Sequence, residues 1–233
     1  MNDLLNHKYF LFISPKKVCL AVLDSKNEVV FKKESLTDDS SIDKNFLTIE
    51  NFLKKNIFSI EKSLNKYVKD INLILDYDVF FSANLSSRYN FKGTQFNLDN
   101  LNNTLIDIRN QFKKTISEHE IIHMMIDRYI IDGNTHLSLP EHNNYKDLSL
   151  EIRFICLQNS IIKDLERTIS KYQISLNKIV CSKYLREFKS LNTESIYFKA
   201  NSILGGYNQN EIFMVNKSTK NKGFFEKFFN FFN

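Results

Sequence analysis

Apolar positions along the chain follow two periods. Tyr9 to Ser14 and Val18 to Leu23 are short runs rich in aromatic and branched residues, joined through Ser14-Pro15-Lys16-Lys17. This pattern predicts a strand, a tight turn and a second strand. Asp24 to Asn27 turns the chain into a third strand over Glu28 to Glu34, and Thr37 to Ser41 reads as a polar loop. From Ile42 the spacing changes. Phe46, Ile49, Leu53, Ile57, Ile60, Leu64 and Tyr67 recur every three or four residues with Lys on the other faces, which predicts a long amphipathic helix.

Beyond it, Ile71 to Leu75 and Val79 to Leu85 read as strands, and a second helix starts near Asp99 with Leu101, Leu105, Ile108 and Phe112. An apolar stretch from Ile121 to Ile131, a turn at Asp132-Gly133-Asn134 and a strand from Leu148 to Leu157 follow. Ile161, Leu165 and Ile169 mark a third helix, and Ile174 to Cys181 a further strand. Strands meeting strands, then helix, strand, helix and strand, indicate a mixed α/β fold. No repeat with a period of 20 to 50 residues is present, and Asn216 to Lys222 is the linker-like piece.

Composition narrows the class. With 233 residues, 42% hydrophobic, 25% charged, 5 Gly and 2 Pro, the chain is globular rather than collagenous or disordered. The net charge is +5, of which residues 216–233 carry +3, so the body is nearly neutral. Without Arg-rich clustering, this balance points to no nucleic-acid partner. Cys19, Cys156 and Cys181 each lie in an apolar run, as expected of buried thiols in a reducing compartment. Met1 to Lys8 has no signal-peptide pattern, and no apolar run reaches ~18 residues, so neither secretion nor a spanning helix is expected.

One metal motif calls for a decision. His119-Glu120-Ile121-Ile122-His123 fits H-E-x-x-H, in which two imidazoles one helical turn apart bind zinc and the Glu acts as general base. The helical pattern fades near Ser117, and the branched residues that follow suit a strand. On a strand, positions 119 and 123 share a face about 13 Å apart, too far to chelate one ion. Gly and His of the extended motif are replaced by Ile126 and Tyr129; His136, Glu141, His142 and Glu151 are the third ligands within reach in sequence. The expectation is no metal, with a zinc hydrolase using His119, Glu120 and His123 as the alternative from a different class.

The stretch from His119 to Leu185 resembles FtsA, the actin-like family that tethers the bacterial division ring to the membrane. The likeness rests on Ile121-Ile122-His123, Tyr129-Ile130-Ile131-Asp132-Gly133, Pro140 and the strand Leu148 to Leu157. Asn159 to Ser182 then mirrors the helix, turn and strand that return from the family's inserted 1C subdomain, of SHS2 type. The resemblance implies a 1A-like lobe from residues 1–77 and 158–215, a 1C-like insertion at 78–157, a linker at 216–222 and an amphipathic helix at 223–233. Ser202 to Tyr207 resembles the last helix before the family's tail. His123 and Asp132 match its pattern, with hydrogen-bonded structural roles expected.

The departures are equally informative. The family opens with an Asp-Ile-Gly-Thr-like phosphate loop, where a carboxylate manages magnesium and Gly lets backbone approach phosphate. Here Phe12-Ile13-Ser14-Pro15 stands in its place, and Pro15 removes a backbone donor. About fifty residues follow Cys181, without a second phosphate loop or a Gly-rich adenosine site. The expectation is loss of ATP binding, no cofactor and no catalytic residue, and nothing in the sequence supports contact with FtsZ of the kind the family makes through subdomain 2B.

The C-terminal run is amphipathic. At 100° per residue Phe224, Phe225, Phe228, Phe229, Phe231 and Phe232 fill one arc, opposite Glu226, Lys227, Asn230 and Asn233. Six phenyl rings behind the basic residues Lys217, Lys220 and Lys222 suit insertion at the surface of an anionic membrane. The segment is too short to span, and the expected attachment is weak in one copy and strong in clusters. The chain is therefore expected to be a non-enzymatic adaptor of the division machinery. It would be cytoplasmic, peripheral on the inner face of the membrane at the division site, and self-associating or binding divisome proteins through its 1C-like region. An adaptor of a related pilus-assembly type complex is the alternative within the same superfamily.

Overall fold

The turn at Ser14–Lys17 folds strand β1 (Lys8–Ile13) back onto β2 (Lys17–Leu23), which pairs in turn with β3 (Val29–Leu36). The structure, a computed structural model, describes residues 7–37, 41–90, 98–140, 145–188 and 195–212. Helix α1 (Ile42–Leu64) carries the chain to β4 (Asp70–Leu75), parallel to β1, and β9 (Ser175–Cys181) adds in parallel to β4. The resulting sheet has the order β3-β2-β1-β4-β9. β1, β2 and β4 are buried almost throughout because both faces of the sheet are covered.

Period-two alternation decides which residue faces which layer. Leu11, Leu20 and Leu73 point to a core shared with Ile49 and Leu53 of α1 and Leu165 of α3 (Asn159–Ser170). Phe10, Ala21 and Ile74 point to the opposite core, closed by α4 (Ser182–Glu187) and α5 (Ile196–Leu204). The Ser195 hydroxyl caps α5 by accepting from Phe198 N, and the helix ends at Gly205-Gly206, where Gly206 takes a left-handed φ of 82°.

A second sheet lies between β4 and α3 in sequence. β5 (Phe81–Asn90), β6 (His119–Ile131), β7 (Asn134–His136) and β8 (Asp147–Gln158) pair in the order β5-β8-β6-β7. Helix α2 (Leu98–Thr115) covers one face, where Phe112 stacks on Phe154 with ring centroids 4.1 Å apart. The β6–β7 hairpin turns through Asp132 and Gly133, with φ of 49° and 83°. The Asp132 carboxylate accepts from the backbone N–H of Lys146 and Asp147, at 3.0 and 2.9 Å. The chain then returns to this sheet: Ile126 N donates to Asn210 O and Ile212 N to Met124 O, at 2.9 and 2.8 Å.

The mixed α/β class holds, with three local corrections. The long helix stops at Leu64, where Asn65 turns left-handed at φ 49°, so Tyr67 lies outside it and 79% exposed. The strand expected over Val79 to Leu85 begins at Phe81 and runs to Asn90, because its polar second half pairs with β8 residue for residue. The face shared by His119 and His123 is lost, because the β6–β8 register shifts between Ile121 and His123.

Candidate functional site

The C-terminal end of β1 opens into a cleft of about 880 Å³. Open α/β sheets bind ligands beyond the carboxyl ends of their parallel strands. Its wall is the β1–β2 turn, which is held from several sides. Ser14 N donates to Lys17 O at 2.9 Å, and the Ser14 hydroxyl exchanges hydrogen bonds with Lys17 N and O. Thr37 clasps the outside: its hydroxyl donates to Pro15 O at 2.9 Å and its N–H to Lys16 O at 2.9 Å. Of the amide positions from Ser14 to Lys17, Ser14 and Lys17 donate within the turn and Pro15 has no proton. The turn therefore lacks the row of free N–H groups that cradles a phosphate chain.

The charges of the cleft are paired in part. Asp76, just beyond β4, accepts from Arg186 at 2.6 Å. Glu34 lies 3.2 Å from Lys32 and 3.9 Å from Lys17, and the hydrogen bond and charge of Lys32, with Lys17 behind, hold its carboxyl below the usual range. Lys17 also stands over the Phe12 ring, 5.8 Å from its centroid. Tyr197 and Phe12 form an apolar floor, and burial first of all pushes the Tyr197 hydroxyl well above its ordinary range.

A second polar cluster centres on the buried His123, Tyr184 and Glu211. His123 Nδ1 lies 2.6 Å from Glu211 Oε1, and His123 Nε2 accepts from Cys181 N at 3.1 Å. The amide proton of Cys181 makes Nε2 an acceptor, which leaves Nδ1 to donate to the Glu211 carboxylate. Glu211 Oε2 accepts from the Tyr184 hydroxyl at 2.8 Å, and that hydroxyl accepts from Asn208 Nδ2 at 2.6 Å. Burial, then the Glu211 charge, raises the Tyr184 hydroxyl far above its ordinary range. Both imidazole nitrogens are committed to structure, so His123 is not placed to act as a general base.

The zinc-motif residues diverge. His119 sits edge-on to Phe81, with ring centroids 4.8 Å apart, on the α2 side of the sheet. Glu120 binds Lys113 at 2.6 Å and Arg109 at 3.9 Å, while His123 faces Tyr184 on the other side. His136 is on β7, Glu151 pairs with Arg128, and Glu141 and His142 lie outside the described residues. Among the described residues no group of three or more His, Cys, Asp or Glu could hold a metal ion. The pentapeptide is a strand whose bulge points its two imidazoles to opposite faces.

The membrane-binding residues expected from sequence, Lys217, Lys220, Lys222, Phe224, Phe225, Lys227, Phe228, Phe229, Phe231 and Phe232, lie outside the described residues. No helix among the described residues is long and apolar enough to cross a membrane. Sequence reasoning missed Glu211 and the cations of the cleft. Glu211 stands in a short polar segment with no periodicity, and its role exists only once that segment lies against β6.

No family model matches the chain, and no curated protein matches it. Among solved structures it is similar to the cytoplasmic domain of EpsL, an inner-membrane component of the type II secretion system of Vibrio cholerae, at 6% identity and a TM-score of 0.39 over 77% of this chain. It is similar to the PilM-PilN type IV pilus biogenesis complex at 7% identity and a TM-score of 0.45 over 76%. A third is a Bacteroides thetaiotaomicron protein with an actin-like ATPase fold and unknown function, at 13% identity and 0.33 over 81%. This chain spans 57%, 48% and 58% of those three chains in turn.

Proposed function

We propose that the chain is a non-enzymatic, membrane-tethered adaptor of the bacterial division machinery, built from one actin-like lobe with an inserted 1C-like unit. The observation that carries the reading is the run from Gly223 to Asn233, which sets six Phe on one helical arc behind a Lys-rich linker. Full burial of one Phe contributes roughly 1.5–3 kcal/mol, and each Lys near an anionic surface about 1 kcal/mol. Interfacial burial is partial and helix formation opposes it, so one copy binds weakly and clustered copies bind through avidity.

Two features of the body support the adaptor role. The unit from β5 to β8 interrupts the first sheet between β4 and α3, where the FtsA resemblance puts the insertion that makes contacts along filaments and with later division proteins. The β1–β2 turn, at the position of the family's phosphate loop, has its hydrogen bonds committed internally, in keeping with a lobe that has given up ATP. Self-association and divisome contacts would then run through the β5–β8 unit.

Liposome co-sedimentation tests the tether. The full chain is expected to pellet with vesicles containing anionic lipid and a chain ending at Lys222 to stay in the supernatant; equal pelleting overturns the tether. A fluorescent fusion tests the division role, which a uniform membrane signal would refute.

A further inference from the structure

We propose that the cleft at the end of β1 is a docking site for an extended acidic peptide that also carries an aromatic or branched apolar side chain. The inference deepens the adaptor reading, on which it rests, by naming the chemistry of the partner.

Charge is the first argument. Lys16, Lys17, Lys32 and Arg186 line the cleft; Asp76 is neutralised by Arg186 and Glu34, at the edge, is shared by Lys32 and Lys17, which leaves four cations against two acids. Lys17 and Lys32 both lie within 4 Å of one carboxylate, that of Glu34, so their spacing suits carboxylate groups. Lys16 is exposed at the tip of the turn and has no ion pair among the described residues. Such a rim accelerates encounter with an acidic partner and rejects a basic one.

Shape is the second. At about 880 Å³ the cleft lies at the upper end of the range for ligand pockets, roughly 300–1,000 Å³. Phe12, Tyr197 and Ile196 give it an apolar floor that an acid-only ligand would leave unfilled. The committed turn has no nest of amides for a compact polyphosphate.

The strand edge is the third. Val29 and Lys32 belong to β3, and among the described residues no strand pairs with its outer edge. The β2–β3 register shifts between Val22 and Leu23, opposite Val30, and is regular from Phe31 to Leu36. An extended segment can add along that stretch, with backbone hydrogen bonds for affinity and alternate side chains reaching the cleft.

The test selects from a random octapeptide phage library on the full chain in lipid-free solution, so that its outcome does not depend on the membrane tether. Enriched peptides are expected to be net acidic with an aromatic or branched residue, and to bind more weakly as salt rises. Their affinity should fall about tenfold or more for the Lys16→Glu/Lys32→Glu variant and stay unchanged for Lys163→Glu, an exposed control on α3. Circular dichroism checks that both variants fold. Neutral or basic consensus sequences, equal affinity for the double variant, or no enrichment over bare resin would overturn the proposal. So would displacement of the peptides by micromolar sodium tripolyphosphate, which would give the cleft to a compact polyanion. A dimer in sedimentation that the double variant abolishes would give it to a second copy.

Discussion

His123 and Glu211, 88 positions apart in sequence, meet at 2.6 Å with side chains 3% and 2% exposed. Through Nε2 the same imidazole holds the amide of Cys181 at the end of β9, so one side chain ties together the inserted sheet, the main sheet and the last described segment. Two backbone hydrogen bonds, Ile126 N to Asn210 O and Ile212 N to Met124 O, flank this buried cluster and hold the segment against β6.

Replacing Glu211 by Ala leaves two buried donors, His123 Nδ1–H and the Tyr184 hydroxyl, without their acceptor. Each orphaned donor costs about 1–3 kcal/mol, so a loss of roughly 2–6 kcal/mol is expected in urea unfolding. Amide exchange at Ile126 and Ile212 should quicken more than exchange in β1. An unchanged unfolding midpoint would show that the pair contributes no net stability.

Alkaline pH should destabilise the protein. Burial pushes the Cys156 thiol from 9.0 up to about 12 and the Tyr129 hydroxyl from 10.0 up to about 12. Both groups hold their protons longer when folded than when unfolded. Their contribution is therefore complete below about pH 9 and is lost as pH rises through the folded values. The urea midpoint, flat near neutrality, should fall steadily above pH 9, and Cys156→Ala should make that fall shallower. The same burial predicts that Cys19, Cys156 and Cys181 react with a thiol reagent only after unfolding.

Gly133→Ala isolates a conformational cost. Gly133 takes φ 83° in the β6–β7 turn, and a Cβ there would meet nothing within 4 Å. The penalty is thus that of a left-handed backbone alone, roughly 1–2 kcal/mol. Denaturation should show this shift, and a loss much larger than it would mean that the turn also sets the register of β6 on β8.

Much of this fold can be read from local pattern. The apolar runs at Tyr9 to Ser14, Val18 to Leu23 and Ile71 to Leu75 become buried strands, and the three-to-four spacing from Ile42 becomes α1, because in each case one residue's environment follows from its near neighbours. What pattern could not supply depends on pairing at a distance. The bulge that sends His119 and His123 to opposite faces arises from the fit of β6 to β8, and Glu211 acquires its partner only through the return of residues 208–212. The cleft combines Lys16, Lys32, Asp76 and Arg186 from four separate parts of the chain, none of which forms a motif with the others. The proline-bearing turn was legible at Phe12 to Pro15, but the clasp by Thr37 was not.

Calorimetry with ATP and magnesium is expected to give no binding heat, because the turn donates its Ser14 and Lys17 amides to itself and Arg186 occupies the Asp76 carboxylate at 2.6 Å. Pro15→Gly adds one backbone donor, yet should not create binding: the Ser14 hydrogen bonds to Lys17 and the Thr37 clasp remain. Freeing Asp76 by Arg186→Ala also removes one of the cations an anion would need. Micromolar affinity in the wild type would mean that Lys16, Lys17 and Lys32 alone suffice to hold a triphosphate. The adaptor reading would then have to accommodate a nucleotide, and the cleft would belong to it rather than to a peptide.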